Sequence, residues 1–257
     1  MSASNSERNP ELAQSIAVAG IRTNYHDLGS GHPVLLIHGS GPGVSAWANW
    51  RLVMPALAER ARVIAPDMAG FGYSERPDGF AYGMDAWVEQ AVGLLNALGI
   101  ARADLVGNSF GGGLALALAI RHPERVRRLV LMGSVGVPFE LTPGLDAVWG
   151  YEPSIDAMRQ LLDIFAYDRS IVNDELASRE EDIRRIPHET LIVHGREDRV
   201  IPLANSITLS DWIARSQLHV YGHCGHWTQI EHSARFARLV ADFLAEADAD
   251  EPHPLAD

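Results

Sequence analysis

Three side chains able to pass a proton along a line lie far apart in this chain: Ser109, His226 and Asp198. Ser109 sits in Gly107-Asn108-Ser109-Phe110-Gly111, a G-x-S-x-G spacing. An apolar strand is expected just before it, over 104–106, and a strong helix former follows over 114–120. A strand-to-helix turn this tight strains the serine backbone and lifts the hydroxyl clear of the sheet edge. Small flanking residues are required because neighbouring Cβ atoms would collide. The start of the helix brings backbone N–H groups and a positive dipole end to any oxyanion that forms there. The alternative is an ordinary glycine-rich turn that packs a helix on a sheet. For acyl chemistry the rest of the chain must supply a base, an acid to orient it, and a second oxyanion donor.

The acid is expected at the end of a later strand. The strand over 190–193 runs into Gly195-Arg196-Glu197-Asp198, and Asp198 is the choice. Glu197 is a nearby competitor and Asp67, after an earlier strand, a weaker one. The plain reading of Asp198 is a turn carboxylate that caps the following helix. The base is expected after the last strand, 217–221, where the chain offers His223 and His226. His226 is chosen because the preceding Gly225 allows a sharp turn that aims the imidazole back at Ser109, with His223 left to solvent. His223, Cys224 and His226 together make a poor zinc site. The Phe110 N–H supplies one oxyanion donor, and the loop His38-Gly39-Ser40-Gly41 the other, most simply from Ser40. That loop lacks the Lys-Ser/Thr ending of a phosphate-binding loop.

These residues need a scaffold that brings distant segments to one rim. Strands are expected over 21–24, 34–37, 62–65, 104–106, 126–132, 190–193 and 217–221. Helices are expected over 47–58, 84–98, 206–214 and 236–245. Short, almost wholly apolar strands that alternate with helices indicate a mostly parallel sheet covered on both faces. The chain of 257 residues has 47% hydrophobic and 21% charged content, which suits a soluble α/β protein with one large core. The rhythm breaks between 136 and 187, read as a helical lid over the strand ends, where open α/β sheets bind ligands. The core is therefore assigned to 1–135 and 188–245, and 246–257 to an acidic tail. A net charge of −12 argues against nucleic acid or an anionic membrane as partner. A single cysteine, Cys224, excludes an internal disulfide and a cysteine metal cluster. No leader-like segment is read at the amino end, so a cytoplasmic location is expected. No cofactor and no metal are expected.

The order Ser109, Asp198, His226 is that of the α/β-hydrolase superfamily. More narrowly, the chain resembles the meta-cleavage product hydrolases of aromatic degradation, which act on 2-hydroxy-6-oxo-dienoates. The resemblance rests on the segments 38–47 with Asn49, Pro66-Asp67 with Gly70-Phe71-Gly72, and 107–113. To these are added 161–168, 195–198 and 224–231, and the likeness covers 21–243. It is closest to members that act on 2-hydroxymuconic semialdehyde or its alkyl homologues. It implies ketonisation of a dienol, attack on the distal carbonyl and release of a hydroxypentadienoate. It also implies substrate contacts from Ser40, Gly41, Asn49, Asn108 and Trp227, with Trp149 and Val200 at the apolar end, and a homodimer. The chain departs from the family after 173–177, where about thirty residues of lid are missing, an arginine for the substrate carboxylate among them. Arg179 is the stand-in carried forward, with Arg169, Arg184 and Arg185 equally open. A carboxylesterase acting on small acyl esters is the alternative activity.

Overall fold

The computed structural model describes residues 9–41, 43–140, 142–143 and 179–246. Among them, eight strands form one sheet: β1 (Gln14–Val18), β2 (Ile21–Gly29), β3 (Pro33–Ile37), β4 (Arg62–Pro66), β5 (Ala103–Asn108), β6 (Val126–Met132), β7 (Glu189–Gly195) and β8 (Ser216–Tyr221). Their order across the sheet is β1-β2-β4-β3-β5-β6-β7-β8. The β1–β2 and β2–β4 pairs are antiparallel, and from β4 to β8 every neighbour is parallel. The helices are α1 (Ala46–Trp50), α2 (Met54–Ala58), α3 (Met84–Ala97), α4 (Phe110–Arg121), α5 (Glu180–Ile183), α6 (Leu203–Trp212), α7 (Thr228–Glu231) and α8 (Ser233–Ala245).

Successive side chains on a strand point to opposite faces, so an apolar run buried on both sides feeds two cores. On β6, Leu129 and Leu131 join Leu94, Leu114 and Leu209 from α3, α4 and α6. Val130 and Met132 pack instead with Trp50, Met54, Phe236 and Phe243 from α1, α2 and α8. Helix α4 is buried along most of its length, as its Leu114-Ala-Leu-Ala-Leu-Ala119 run demands. Helix α8 buries one stripe, Phe236, Ala237, Val240 and Phe243, at helical spacing.

The single helix expected over 47–58 is two short ones. Ser45 caps α1 by accepting the Ala48 N–H at 3.0 Å, and Pro55 lies in the first turn of α2. Proline brings no N–H and cannot continue a helix, but it suits a helix start, so the chain turns and restarts there. Strand β1 is absent from the sequence reading. It is an exposed edge joined to β2 through Ala19-Gly20, with φ of 49° and 76°. That is a two-residue hairpin turn without the usual Asn-Gly signal. Of the expected lid, 144–178 lies outside the described residues, as does the tail 247–257.

Candidate active site

The strands β5, β6, β7 and β8 run parallel, so their carboxyl ends share one rim. At the end of β5, Ser109 takes φ 55° and ψ −115°, one of three described non-glycine residues with positive φ. A side chain there is strained, and it persists because its surroundings fix it. The Ser109 N–H donates to the Met132 carbonyl at 2.8 Å, and its own carbonyl accepts from Gly112 N–H at 3.0 Å. A Cβ on Gly107 would collide with the Gly111 carbonyl, and one on Gly111 with the Ile37 carbonyl. The two flanking glycines thus let α4 sit directly against β3 and β5. The Phe110 ring is core, edge-on to Trp87 at 4.7 Å, while its N–H opens α4, where no intrahelical acceptor exists.

From the end of β7, the Asp198 side chain is sealed from solvent and accepts at both carboxylate oxygens. Its Oδ1 takes the Val200 and Ile201 N–H groups at 2.8 and 3.0 Å. Its Oδ2 takes His226 Nδ1–H at 2.7 Å. Burial pushes the Asp198 carboxyl upward, but the His226 and His194 rings and the Val200 N–H outweigh it and hold the group below the ordinary carboxylate range. Gly133, next after the Met132 that anchors Ser109, faces this pair. A Cβ there would lie 3.1 Å from His226 Nδ1 and 3.4 Å from Asp198 Oδ2.

The loop that carries His226 is pinned from two sides. Glu197 Oε2 accepts the Cys224 N–H at 3.0 Å, and Glu231 accepts the Gly225 N–H at 3.0 and 3.1 Å. The left-handed residue of the turn is His223 (φ 54°), not Gly225, which corrects the reason given for choosing His226. What the loop requires of glycine falls on Gly195, where a Cβ would strike the Gly225 carbonyl as the loop crosses β7. His223 is exposed. The competing carboxylates have other duties. Glu197 holds the loop, and buried Asp67 accepts from Ala46 N–H at 2.6 Å, Tyr73 N–H at 2.8 Å and Asn24 Nδ2 at 2.8 Å. Cys224 is buried, and burial pushes its thiol up to about 12. Among the described residues no group of three or more His, Cys, Asp or Glu side chains could hold a metal ion.

The glycine loop after β3 is rigid for reasons the sequence hid. His38 Nε2 accepts the Met68 N–H at 2.9 Å, so Nδ1 carries the proton and donates to the Gly39 carbonyl at 2.6 Å. Asn49 Oδ1 accepts the Gly39 N–H at 2.8 Å. Both backbone polar groups of Gly39 are therefore fixed just ahead of Ser40. Asn49, expected at the substrate, is 6% exposed and braces the loop. Asn108 is buried and faces the same loop, its Oδ1 2.9 Å from where a Gly39 Cβ would stand. Gly41 follows with φ 154°. Val200 is buried beside Asp198, and Trp227 is half-buried at the start of α7. Trp149 lies outside the described residues. Arg179 is turned to its own helix, donating to Asp182 at 2.9 Å and pairing with Glu181 at 3.3 Å. That helix is capped by Arg184, whose guanidinium lies over the Trp212 ring at the far end of α6 from the Ser109 rim. No described contact joins Arg179 to the Ser109 group.

A serine on a strained strand-to-helix turn and an Asp–His pair from the next strand ends together define a class of fold and site. The family model for the alpha/beta hydrolase fold matches residues 32–154 and 147–233. A 2-hydroxymuconate semialdehyde hydrolase of Pseudomonas sp. (strain CF600) is 63% identical, over 95% of this chain and 97% of that protein. A 2-hydroxy-6-oxo-2,4-heptadienoate hydrolase of Pseudomonas putida is 56% identical, over 93% of this chain and 99% of that protein. A solved meta-cleavage product hydrolase of Pseudomonas fluorescens, complexed with acetates, superposes with a TM-score of 0.87 at 54% identity, covering 92% of this chain and 98% of that one. The chain belongs to the α/β-hydrolase family and, within it, to the meta-cleavage product hydrolases. It is an enzyme. The alignment with the first relative spans 275 positions, more than the 257 residues of this chain, so that relative carries residues with no counterpart here. Among the described residues no helix is long and apolar enough to cross a membrane.

Proposed function

We propose that this enzyme hydrolyses a carbon–carbon bond in a 2-hydroxy-6-oxo-dienoate formed by ring cleavage of an aromatic compound. Ser109 is the nucleophile, His226 its base and Asp198 the group that fixes the His226 tautomer and stabilises its imidazolium. The observation that supports this reading is the 2.7 Å bond between His226 Nδ1 and the Asp198 carboxylate, next to Gly133, whose neighbour Met132 holds the Ser109 N–H. With Nδ1–H held by the carboxylate, the free Nε2 lone pair is the one available to the Ser109 hydroxyl. The N–H groups of Phe110 and Ser40 receive the oxyanion that develops on the distal carbonyl; one such donor is worth about 3 kcal/mol.

The dienol first ketonises, which makes the carbon next to the distal carbonyl a competent leaving group. Addition at that carbonyl and cleavage of the adjoining bond then consume one water. The acyl side leaves as a carboxylate and the remainder as a 2-hydroxypentadienoate. Gly41, Asn108 and Trp227 line the dienoate path, Asn49 acts through the loop, and Val200 borders the alkyl end. The close relatives are named for dienoate and semialdehyde hydrolysis, which leaves the esterase alternative unfavoured. We place the residues this chain lacks in the 136–187 lid, between the core segments 1–135 and 188–245. Cytoplasmic location and a homodimer complete the reading; light scattering tests the dimer.

Loss of dienoate absorbance on mixing with the enzyme is the direct test. Wild type turns over and Ser109→Ala does not, although it still quenches on binding. A Ser109→Ala enzyme with ordinary turnover refutes the nucleophile, and a wild-type enzyme silent on dienoates but active on short p-nitrophenyl esters refutes the substrate class.

A further inference from the structure

Behind the Asp–His pair lies a second histidine with no part in the sequence reading. His194, near the end of β7, is fully enclosed. Its Nε2 is 3.0 Å from the Ile201 carbonyl and 3.3 Å from Asp198 Oδ2, and its Nδ1 is 2.7 Å from Ser206 Oγ on α6. A carbonyl can only accept, so Nε2 carries the proton. Nδ1 is then a lone pair, and the Ser206 hydroxyl donates to it. Both ring nitrogens are satisfied in one tautomer only.

We infer that His194 is a positioning residue for Asp198, bracing both of its carboxylate oxygens. This rests on the reading of Asp198 as the partner of His226. On one side the His194 Nε2–H edge faces Oδ2, the oxygen that holds His226. On the other it fastens the Ile201 carbonyl, and the Ile201 N–H is one of the two that grip Oδ1. The carboxylate is thus clamped from strand and turn together, and Ser206 sets the tautomer that makes the clamp work. Charge supports the same division of labour. Among the described residues, Asp198 and His226 are the charged groups that bear on His194, and α6 brings the Ser206 hydroxyl. Burial pushes the His194 imidazole below its ordinary range, more than Asp198 and the Ile201 carbonyl raise it, and His226 adds to the lowering. A neutral His194 lends a dipole to Asp198 without cancelling the charge that a His226 imidazolium needs. Metal-bound histidines are oriented on the same principle, through the partner of their other ring nitrogen.

The test compares His194→Leu, His194→Gln and Ser206→Ala in the whole enzyme. His194→Leu is expected to lower kcat about tenfold and leave KM within about twofold, the pattern of a misaligned base. With one donor gone, the Asp198 charge is less spread, so the acid limb of the pH–rate profile moves to higher pH. The downfield proton resonance of His226 Nδ1–H shifts with it. His194→Gln, which keeps an N–H for Ile201, recovers most of kcat. Ser206→Ala frees the ring to take the other tautomer and gives a smaller change in the same direction. An acid limb and a resonance both at their wild-type positions in His194→Leu overturn the inference. So does a Gln variant as slow as the Leu variant with a wild-type limb, because that marks packing alone. If the Leu variant does not fold, Ser206→Ala decides by the same two readouts. The resonance requires no turnover, so it judges His194 even where the serine reading has failed.

Discussion

Gly133 offers the sharpest perturbation of the site without touching a reacting group. It has φ 48°, and an alanine methyl would stand 3.1 Å from both Cε1 and Nδ1 of His226. Two costs arise, and they can be separated. The left-handed backbone charges an L-residue about 1 kcal/mol wherever it occurs. The contact requires the ring to give by a few tenths of an ångström. A displacement of about 1 Å costs on the order of a hundredfold in rate, so a few tenths predict about a tenfold loss in kcat. Gly20 is the control, with φ 76° and nothing near its Cβ position. Gly20→Ala and Gly133→Ala should each lower the melting temperature by about 2–4 °C, the expected effect of 1 kcal/mol at this size. Only Gly133→Ala should slow dienoate turnover. Equal kcat in the two variants would show that the His226 ring tolerates the methyl, and the assignment of that ring as the base would lose its geometric support.

Asn49→Ala removes the acceptor of the Gly39 N–H and leaves that buried donor unpaired. A loss of about 1–3 kcal/mol in unfolding free energy is expected, together with a fall in kcat at nearly constant KM. Urea midpoints and steady-state kinetics check both, and a rise in KM alone would restore Asn49 to direct substrate contact. His188 gives a pH prediction away from the site. Burial first, then the Arg102 charge, lowers its imidazole to about 4, so between about 6.5 and 4 the unfolded chain binds the extra proton. Stability is therefore fully present above 6.5 and declines as the pH falls toward 4, by at most about 3 kcal/mol. His188→Gln should flatten that part of the stability curve and leave kcat unchanged; an unaltered slope in denaturant titrations at pH 5 would dismiss it.

The sheet was legible because its strands are short apolar runs, and β6 matches the expected 126–132 at both ends. Ser109, Asp198 and His226 could be proposed because each follows such a run at a turn with glycine nearby, and the Asp198–His226 bond lies where that pattern puts it. What escaped notice is what spacing does not encode. Strand β1 is polar and exposed, and its Ala-Gly turn carries no signal. Asn49 and His194 act through main-chain atoms of loops folded against them, and only coordinates bring Gly39 or Ile201 to their side. The choice of His226 over His223 was reached through Gly225, yet the backbone places the left-handed turn on His223 itself. The curvature expected of Gly225 belongs to its neighbour two residues earlier.

The parallel order β5-β6-β7-β8 gives the site a history as well as a shape. The segment bearing Ser109 leaves the ribosome more than a hundred residues before the loop bearing His226. During that interval the elbow can form on β3, β5 and β6 alone, and an alcohol with no proton acceptor beside it attacks nothing. On the proposed roles, catalysis waits until β8, an edge strand of the sheet, docks on β7 and brings its loop over Gly195. A chain that ends before β8 then holds Ser109 without its proposed base, and activity itself reports that the last strand is in place.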